Sequence, residues 1–593
     1  MLRVWYPGKY FKSAMTVFKI WRTKDSDEHF ARSLVAEHNL SPLLARVLSG
    51  YNFADPGAAL KFLEPKLKDV SDPFLIPRMD TAVQRIWQAI AAGENITVFG
   101  DYDVDGIVST VLLVKILLRL GARSVIPCLP DRLEEGYGFS VTAIERSLRP
   151  VKPSLIITVD CGVTAIESAE YVKKSGIDLI ITDHHEPKGD LPSALAVINP
   201  KLGKSDAMKK LAGVGVAFKL CHALLKQGKK EKNPGADFDL KEYLDLVAAG
   251  TVADVVPLTD ENRIFVRHGL TRMNRAGQSV WQKLKEAAGL SGKLDAYHLA
   301  YCIAPRLNAA GRLESAETAL ELFMTDDENR AGLIAEKLDK TNRERQAIEK
   351  QIIKEAMAEI DGYFKPEIHY GIVAGRRSWH VGVIGIVASR LAARYNRPVV
   401  VIGFDEHGKG RGSGRSVAGY NILNGLNECR EALNGFGGHE LAAGLDIDDN
   451  KTEEFRDLFN KAAERQLKGK NLAPVITLNA WIQLDEITKE TFDALEKLAP
   501  FGQDNPRPVF AARGVRITAP PRVMAGKHLR FNVSDGKAIV AAVAFNHAKS
   551  VTGREIPEGE LDLAFNIRKN SFNGSENLEL NILDYRKTSA SPD

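Results

Sequence analysis

Between Ile96 and about residue 325, short apolar runs alternate with helix-length amphipathic segments. The runs are Ile96–Phe99, Ser124–Leu129, Leu155–Val159, Leu179–Thr182 and Ala194–Ile198, with helix candidates such as Val108–Leu120 and Ala165–Lys174 between them. Strand-length runs separated by helix-length segments predict βαβ units and a parallel sheet. Ahead of this block, residues 28–94 read as short amphipathic helices, and the pattern predicts an N-terminal helical cap over 1–94. After it, Glu328 to about Ile360 is strongly charged. Leu333, Leu338, Ile348, Ile352 and Ile360 give it only a narrow apolar stripe, which predicts a connector helix within 326–365.

A second α/β block follows over 366–470, with strands at Tyr370–Ala374 and Pro398–Phe404 and a helix around Val383–Tyr395 between them. Over 471–593 the helical period gives way to alternation, as in Pro508–Ala512, His528–Val533 and Leu561–Ile567, which predicts a small OB-like β-barrel. The expected architecture is thus multidomain α/β: a parallel-sheet domain over 95–325, a second α/β domain joined by a long helix, and a C-terminal OB-like barrel.

Bulk composition narrows the function classes only a little. The chain has 593 residues, 44% apolar and 26% charged, with a formal net charge of +4. So small a charge means that any nucleic acid must be held by local basic patches. Five dispersed cysteines without a CxxC pair argue against a disulfide framework or a structural zinc site, and they predict a reducing, cytoplasmic setting. No apolar run approaches the ~20 residues of a membrane span. The first 22 residues are basic and aromatic, compatible with a targeting peptide or with initiation at Met15.

The densest chemistry lies in Val98-Phe-Gly-Asp-Tyr-Asp-Val-Asp-Gly106, where a strand runs into Asp101, Asp103 and Asp105 and a helix then begins. Carboxylates this close repel one another unless cations neutralise them. An EF-hand loop opens in the same way, but here apolar helical residues follow and no glutamate occupies the twelfth loop position. Two further strands end in Asp160 and in Asp183-His184-His185, and Asp254 sits in an otherwise apolar run. The carboxyl ends of parallel strands converge on one rim, and mixed carboxylate and imidazole ligation suits Mn²⁺ better than Ca²⁺. Two divalent ions in such a cluster predict phosphodiester chemistry.

Elsewhere, Arg306, Asn308 and Arg312 surround a small-residue turn suited to gripping phosphate. Arg377, Trp379 and His380 combine a cation with a flat ring. Gly408-Lys-Gly-Arg-Gly-Ser-Gly-Arg415 approaches a P-loop but puts Gly410 where Ser or Thr is required, which excludes nucleotide triphosphate hydrolysis. Gly437, Gly438 and His439 offer close backbone approach beside one imidazole.

Taken in order, Asp101–Gly106, Asp160, Asp183-His184-His185 and Asp254 resemble the motifs of the DHH phosphoesterases. Pro305–Leu313, Leu498–Phe510 and Gly435–Gly444 extend the likeness to the DHH/DHHA1 enzymes that degrade single-stranded DNA, over roughly residues 25–590. The resemblance implies two Mn²⁺ or Mg²⁺ ions ligated by Asp103, Asp105, Asp160, His184 and Asp254, with Asp160 bridging. It also implies Asp101 close to the metals and His185 at the scissile phosphate. Phe99 stands where many relatives have histidine. Substrate contacts implied on the same basis are Arg132, Tyr137, Arg306, Asn308, Arg312, Gly437, Gly438 and His439, and residue chemistry alone adds Arg377, Trp379, His380 and Arg415. The implied activity is a single-stranded-DNA-specific 5′→3′ exonuclease releasing 5′-mononucleotides in DNA repair and recombination. The implied setting is a cytoplasmic monomer off the membrane, working with a single-strand-binding protein or helicase. A nanoRNase or nucleotide phosphatase on the same scaffold, and a non-catalytic DNA-binding replication subunit, are the competing readings.

Overall fold

A computed structural model describes residues 19–131, 135, 138–148, 151–275, 279–548, 556–572 and 575–588. Their contacts form two compact units. One comprises residues 61–346 together with 499–506; the other comprises the described residues up to Leu60, then 347–498, then those from Arg507 on.

The 61–346 unit is built on a five-stranded sheet in the order Ser124–Cys128, Asn95–Phe99, Leu155–Val159, Asp178–Thr182, Ala196–Ile198, parallel throughout. Its strands are rich in Ile, Val and Leu because both faces are covered. Ile96, Val98, Ile157, Val159 and Ile180 point into a core with the helices Met79–Ala92, Val104–Arg119 and Gly213–Glu231. Phe99, Ile156 and Ile181 point the other way, against Ile144, Ala169 and Val172 of the helices Val141–Leu148 and Ile166–Lys174. The period-2 alternation of one strand thus feeds two cores.

The Asp260–Met273 helix closes this unit against residues 499–506. Leu258 N–H donates to the Gln503 carbonyl at 2.9 Å, and Arg263 and Arg267 donate to the Ala499 carbonyl at 3.0 and 3.1 Å.

The helix Glu328–Tyr363 carries the chain out of this unit into the other. Of its expected apolar stripe, Leu338, Ile352 and Ile360 are buried, whereas Leu333 is 62% exposed.

The second unit contains a five-stranded mixed sheet in the order Gly435–Gly438, Ala442–Asp448, Lys409–Arg415, Val399–Phe404, Ile372–Arg377. The glycine-rich run that approaches a P-loop is its central antiparallel strand. A Cβ at Gly410, Gly412 or Gly414 would lie within 2.6 Å of Phe404, Leu445 or Ile422 respectively, so these glycines admit the large side chains of the core.

The C-terminal strands form a seven-stranded sheet, and an extra pairing of Phe510–Ile517 with His528–Ser534 closes five of them into a barrel, the OB arrangement.

One expected boundary is corrected. Within the expected 1–94 cap, described residues 19–94 do not make a single body: Ile20–Thr23 pairs in parallel with Val475–Leu478 beside the barrel, while Met79–Ala92 belongs to the core of the 61–346 unit. A strand needs a sheet edge and an amphipathic helix needs an apolar face, and here these lie in different units.

Candidate metal centre

The Asn95–Phe99 strand delivers Asp101, Asp103 and Asp105 through a turn whose backbone leaves no room for error. A Cβ on Gly100 would lie 2.0 Å from Thr110 Oγ1, and one on Gly106 would lie 2.4–2.7 Å from the Asp101 backbone. Asp103 caps the Val104–Arg119 helix by accepting from Gly106 N–H at 3.2 Å. Asn308 Oδ1 accepts from Val104 N–H at 3.0 Å, pinning the turn from outside. Asp105, 1% exposed, accepts from the first amides of the Gly213–Glu231 helix, Gly213 at 2.7 Å and Val214 at 2.9 Å. The positive end of that helix therefore faces a carboxylate.

Asp160 follows the Leu155–Val159 strand with φ of 61°, a left-handed conformation that a non-glycine residue adopts at a cost. Asp254 caps the end of the Leu244–Ala253 helix. Asp183, 1% exposed, accepts from Val163 N–H at 2.9 Å, His184 N–H at 2.7 Å, His185 N–H at 3.0 Å and the His185 Nδ1 at 2.7 Å. Four donors saturate it, so it orients the histidines rather than facing a cation. Asn199 completes the turn by donating to the His185 carbonyl at 2.9 Å.

These elements converge. Ligand-type atoms come within 4.8 Å of one another in three overlapping groups: Asp101, Asp103 and Asp160; Asp105, His184 and Asp254; and Asp160, His184 and His185. His184 Nε2 lies 3.2 Å from Asp160 Oδ1 and 3.5 Å from Asp254 Oδ2. All three atoms are buried, and none makes a hydrogen bond among the described residues. Buried polar atoms left this way are costly unless something else satisfies them.

The electrostatics agree. Burial first, then the Asp103 charge, raises the Asp105 carboxyl to about 7. Burial, then Asp105 and other neighbouring carboxylates, pushes Asp160 and Asp254 well above the ordinary carboxylate range. Burial and the His185 charge lower His184 to about 3, leaving a neutral imidazole with a lone pair to share. Burial opposes His185 protonation, but the bond to Asp183 outweighs it and lifts His185 above its usual value. Crowded carboxylates beside a neutral imidazole are the donor set of a transition-metal or Mg²⁺ site, and a bound cation would reverse the upward shifts.

The expected ligands and His185 are therefore gathered at one rim, with Asn308 beside them holding the aspartate turn. Arg306 is engaged elsewhere: its guanidinium pairs with Asp339 at 2.9 Å and donates to the Cys302 carbonyl at 2.6 Å. Arg312 is half-buried on the same helix as Asn308. Arg132 and Tyr137 lie outside the described residues.

The remaining candidates belong to the second unit, and the strand register separates them. Arg415, opposite Ala442, marks one end of the sheet, where His439 N–H donates to the Ala442 carbonyl at 2.9 Å and Gly437 and Gly438 complete the edge. Arg377, opposite Phe404 and hence in line with Gly410 and Ile447, marks the other end, and it pairs with Asp449 at 2.6 Å. Trp379 is corrected as a stacking platform: it is 4% exposed, and its indole donates to Glu355 at 2.8 Å. His380 caps the Val381–Tyr395 helix, its Nδ1 accepting from Gly382 N–H at 3.1 Å.

Sequence reasoning missed Asp183 as the hub of the histidine turn, and it missed the Gly213-Val214 amides. The small-residue start Gly213-Val-Gly-Val-Ala was the available signal, since such a start lets a helix end approach a carboxylate closely. A Cβ on Gly213 would lie 2.4 Å from Asp160 Oδ1.

Comparison with known proteins agrees with this geometry. The chain matches the DHH family N-terminal domain over residues 95–251, the DHHA1 domain over 367–468 and the RecJ OB domain over 478–584. It is 36% identical to the single-stranded-DNA-specific exonuclease RecJ of Bacillus subtilis, across 95% of this chain and 70% of that protein. With the Dickeya dadantii protein of the same name it shares 35% identity, across 88% of this chain and 92% of the relative. The crystal structure of Thermus thermophilus RecJ in complex with Mn²⁺ superposes with a TM-score of 0.82 at 30% identity, covering 96% of this chain and 80% of that one. On the motifs, the domains and the fold together, the chain belongs to the RecJ family of DHH phosphoesterases.

Proposed function

We propose that this protein hydrolyses single-stranded DNA from its 5′ end, releasing 5′-mononucleotides, in the service of DNA repair and recombination. One observation carries the reading: Asp160 Oδ1, His184 Nε2 and Asp254 Oδ2 converge, buried and without hydrogen bonds among the described residues, amid three further aspartates. A pure binding subunit has no use for so costly a cluster. Preference for single-stranded DNA is what the relatives' names carry; the direction and the product come with the family resemblance.

Asp101, Asp103, Asp105, Asp160, His184 and Asp254 would hold two divalent cations, Mn²⁺ or Mg²⁺, which supply Lewis-acid polarisation of the phosphodiester and a nucleophile at neutral pH. The chain does the rest. The Gly213 and Val214 amides fix Asp105, and Asn308 fixes the turn bearing Asp101 and Asp103. Asp183 holds His185 by Nδ1, so a phosphate oxygen is met through Nε2. With its pKa raised, His185 carries a proton nearer neutrality, suited to binding that oxygen or to protonating the departing 3′-oxygen. Arg415, Gly437, Gly438 and His439, at one end of the second unit's sheet, form the substrate-binding group in this reading. A cytoplasmic monomer supplied with ends by a single-strand-binding protein or helicase completes it; no described helix is long and apolar enough to cross a membrane.

The test uses purified protein, Mn²⁺ and an internally labelled single-stranded oligonucleotide with free or blocked 5′ and 3′ ends, beside duplex and RNA controls. Mononucleotide release that a 5′ block stops and EDTA abolishes is expected. Tight strand binding without release under any divalent metal would instead indicate a binding subunit.

A further inference from the structure

Asn262 is the third residue of the Asp260–Met273 helix and is 1% exposed. Its amide nitrogen donates to two main-chain carbonyls, Lys210 at 2.7 Å and Pro257 at 3.0 Å. The two acceptors fix the amide's orientation, because exchanging its nitrogen and oxygen would set three oxygens together with no proton between them.

The acceptors belong to segments far apart in sequence, and each carries part of the metal centre. Lys210 leads into the Gly213–Glu231 helix, whose first two amides hold Asp105. Between them, the Leu211 backbone is a hydrogen-bond partner of His184. Pro257 ends the turn that begins at Asp254 and passes through Val255 at φ of 62°. One carboxamide thus ties the segment that orients Asp105 and His184 to the segment that carries Asp254. These three residues form one of the ligand groups. In another group, Asp101 and Asp103 hang from the Asn95–Phe99 strand, whose following turn Asn308 pins, while its third member, Asp160, packs against Gly213 of the first segment.

We propose that Asn262 is a positioning residue that sets the spacing of Asp105, His184 and Asp254, and with it the affinity of that half of the centre for its divalent cation. The inference rests on the two-cation reading above. Outer partners that orient metal ligands typically change metal affinity by about 10–100-fold when removed.

The experiment measures binding of Mn²⁺ alone to the full chain and to two variants, Asn262→Asp and Asn262→Ser, with thermal unfolding of each metal-free protein as control. Asn262→Asp keeps the volume and removes the donors, whereas Asn262→Ser keeps one donor. The expected result is a loss of about 10-fold at one of two Mn²⁺ sites in Asn262→Asp, with a smaller loss at the other, which shares Asp160, and Asn262→Ser between. Turnover on DNA then falls at limiting Mn²⁺ and recovers as Mn²⁺ is raised, with KM for DNA unchanged. Unchanged Mn²⁺ affinity with a lowered unfolding temperature would overturn the proposal, leaving Asn262 an ordinary buried amide; an equal loss at both sites would overturn it too. If Asn262→Asp does not fold, the same split read on Asn262→Ser decides. A parent chain binding fewer than two Mn²⁺ would overturn the two-cation reading instead, a distinguishable failure.

Discussion

Asp105 is held by two main-chain amides yet surrounded by carboxylates, and the second influence dominates its acidity. Its folded pKa of about 7 exceeds the ordinary value of 3.8, so its contribution to stability is present at acid pH and lost as pH rises through 7. Asp160 and Asp254 shift in the same direction. His184, neutral down to about 3, acts oppositely below its ordinary 6.5. Three carboxyls against one imidazole leave a net fall. The metal-free protein should therefore melt at progressively lower temperature as pH rises towards and beyond 7, and saturating Mn²⁺ should flatten that slope. A pH-independent melting temperature without metal would refute these shifts. Asp160→Asn should raise the metal-free melting temperature by removing one repelling charge while lowering turnover by more than the ~10²-fold of an outer-shell change; activity assays beside calorimetry check both. The candidate ligands were legible in sequence because they cluster just beyond the ends of strands or within otherwise apolar runs. The service of Asp183 was not, since hydrogen-bond directions depend on residues 20 positions away, such as Val163. Nor was the burial of Trp379, because an aromatic after a strand looks alike whether it packs or stacks.

At the scale of elements, the joint between the Asn95–Phe99 strand and the Val104–Arg119 helix is the most constrained part of the centre. Gly106→Ala would drive a methyl group into the Asp101 backbone, where relief requires moving the aspartate turn. Overpacking of this kind costs about 1–3 kcal/mol, so the variant should fold, with circular dichroism near that of the parent. Its Mn²⁺ binding and turnover should both fall at least tenfold; parental activity would show that the turn adapts. The parallel sheet, the connector helix and the barrel were readable from periodicity, which is local. Strand register is not local, so nothing in the sequence set Arg377 at the opposite end of its sheet from Arg415 and His439.

For the whole molecule, chain order and spatial grouping part company. Residues 499–506, between the first strands of the barrel region, belong to the unit that bears the metal centre, and the opening strand Ile20–Thr23 belongs beside the barrel. Removing residues 474–593 is therefore not a clean deletion of a nucleic-acid-binding module. It strips the Ala499 carbonyl from Arg263 and Arg267 and the Gln503 carbonyl from Leu258. The buried Leu258 amide, deprived of its acceptor, costs about 1–3 kcal/mol. Replacing 499–506 alone with a flexible linker should lower the melting transition by roughly 3 °C for ~2 kcal/mol in a unit of this size, with the barrel present throughout. An unchanged transition would mean that the contacts contribute little. Sequence reading drew contiguous domains because composition and period describe neighbours along the chain, and a strap of eight residues has too little of either to announce a distant partner.

That strap also gives synthesis a direction. About 150 residues separate Gln346 from Ala499, so a ribosome working at ~5–20 residues per second spends roughly 8–30 s between finishing the main body of the nuclease unit and delivering the piece that closes it. A nascent or prematurely terminated chain thus carries every aspartate and histidine of the centre while still lacking the contacts behind Leu258, Arg263 and Arg267. Leu258 and the Asp260–Met273 helix thus receive their Gln503 and Ala499 partners only late in synthesis.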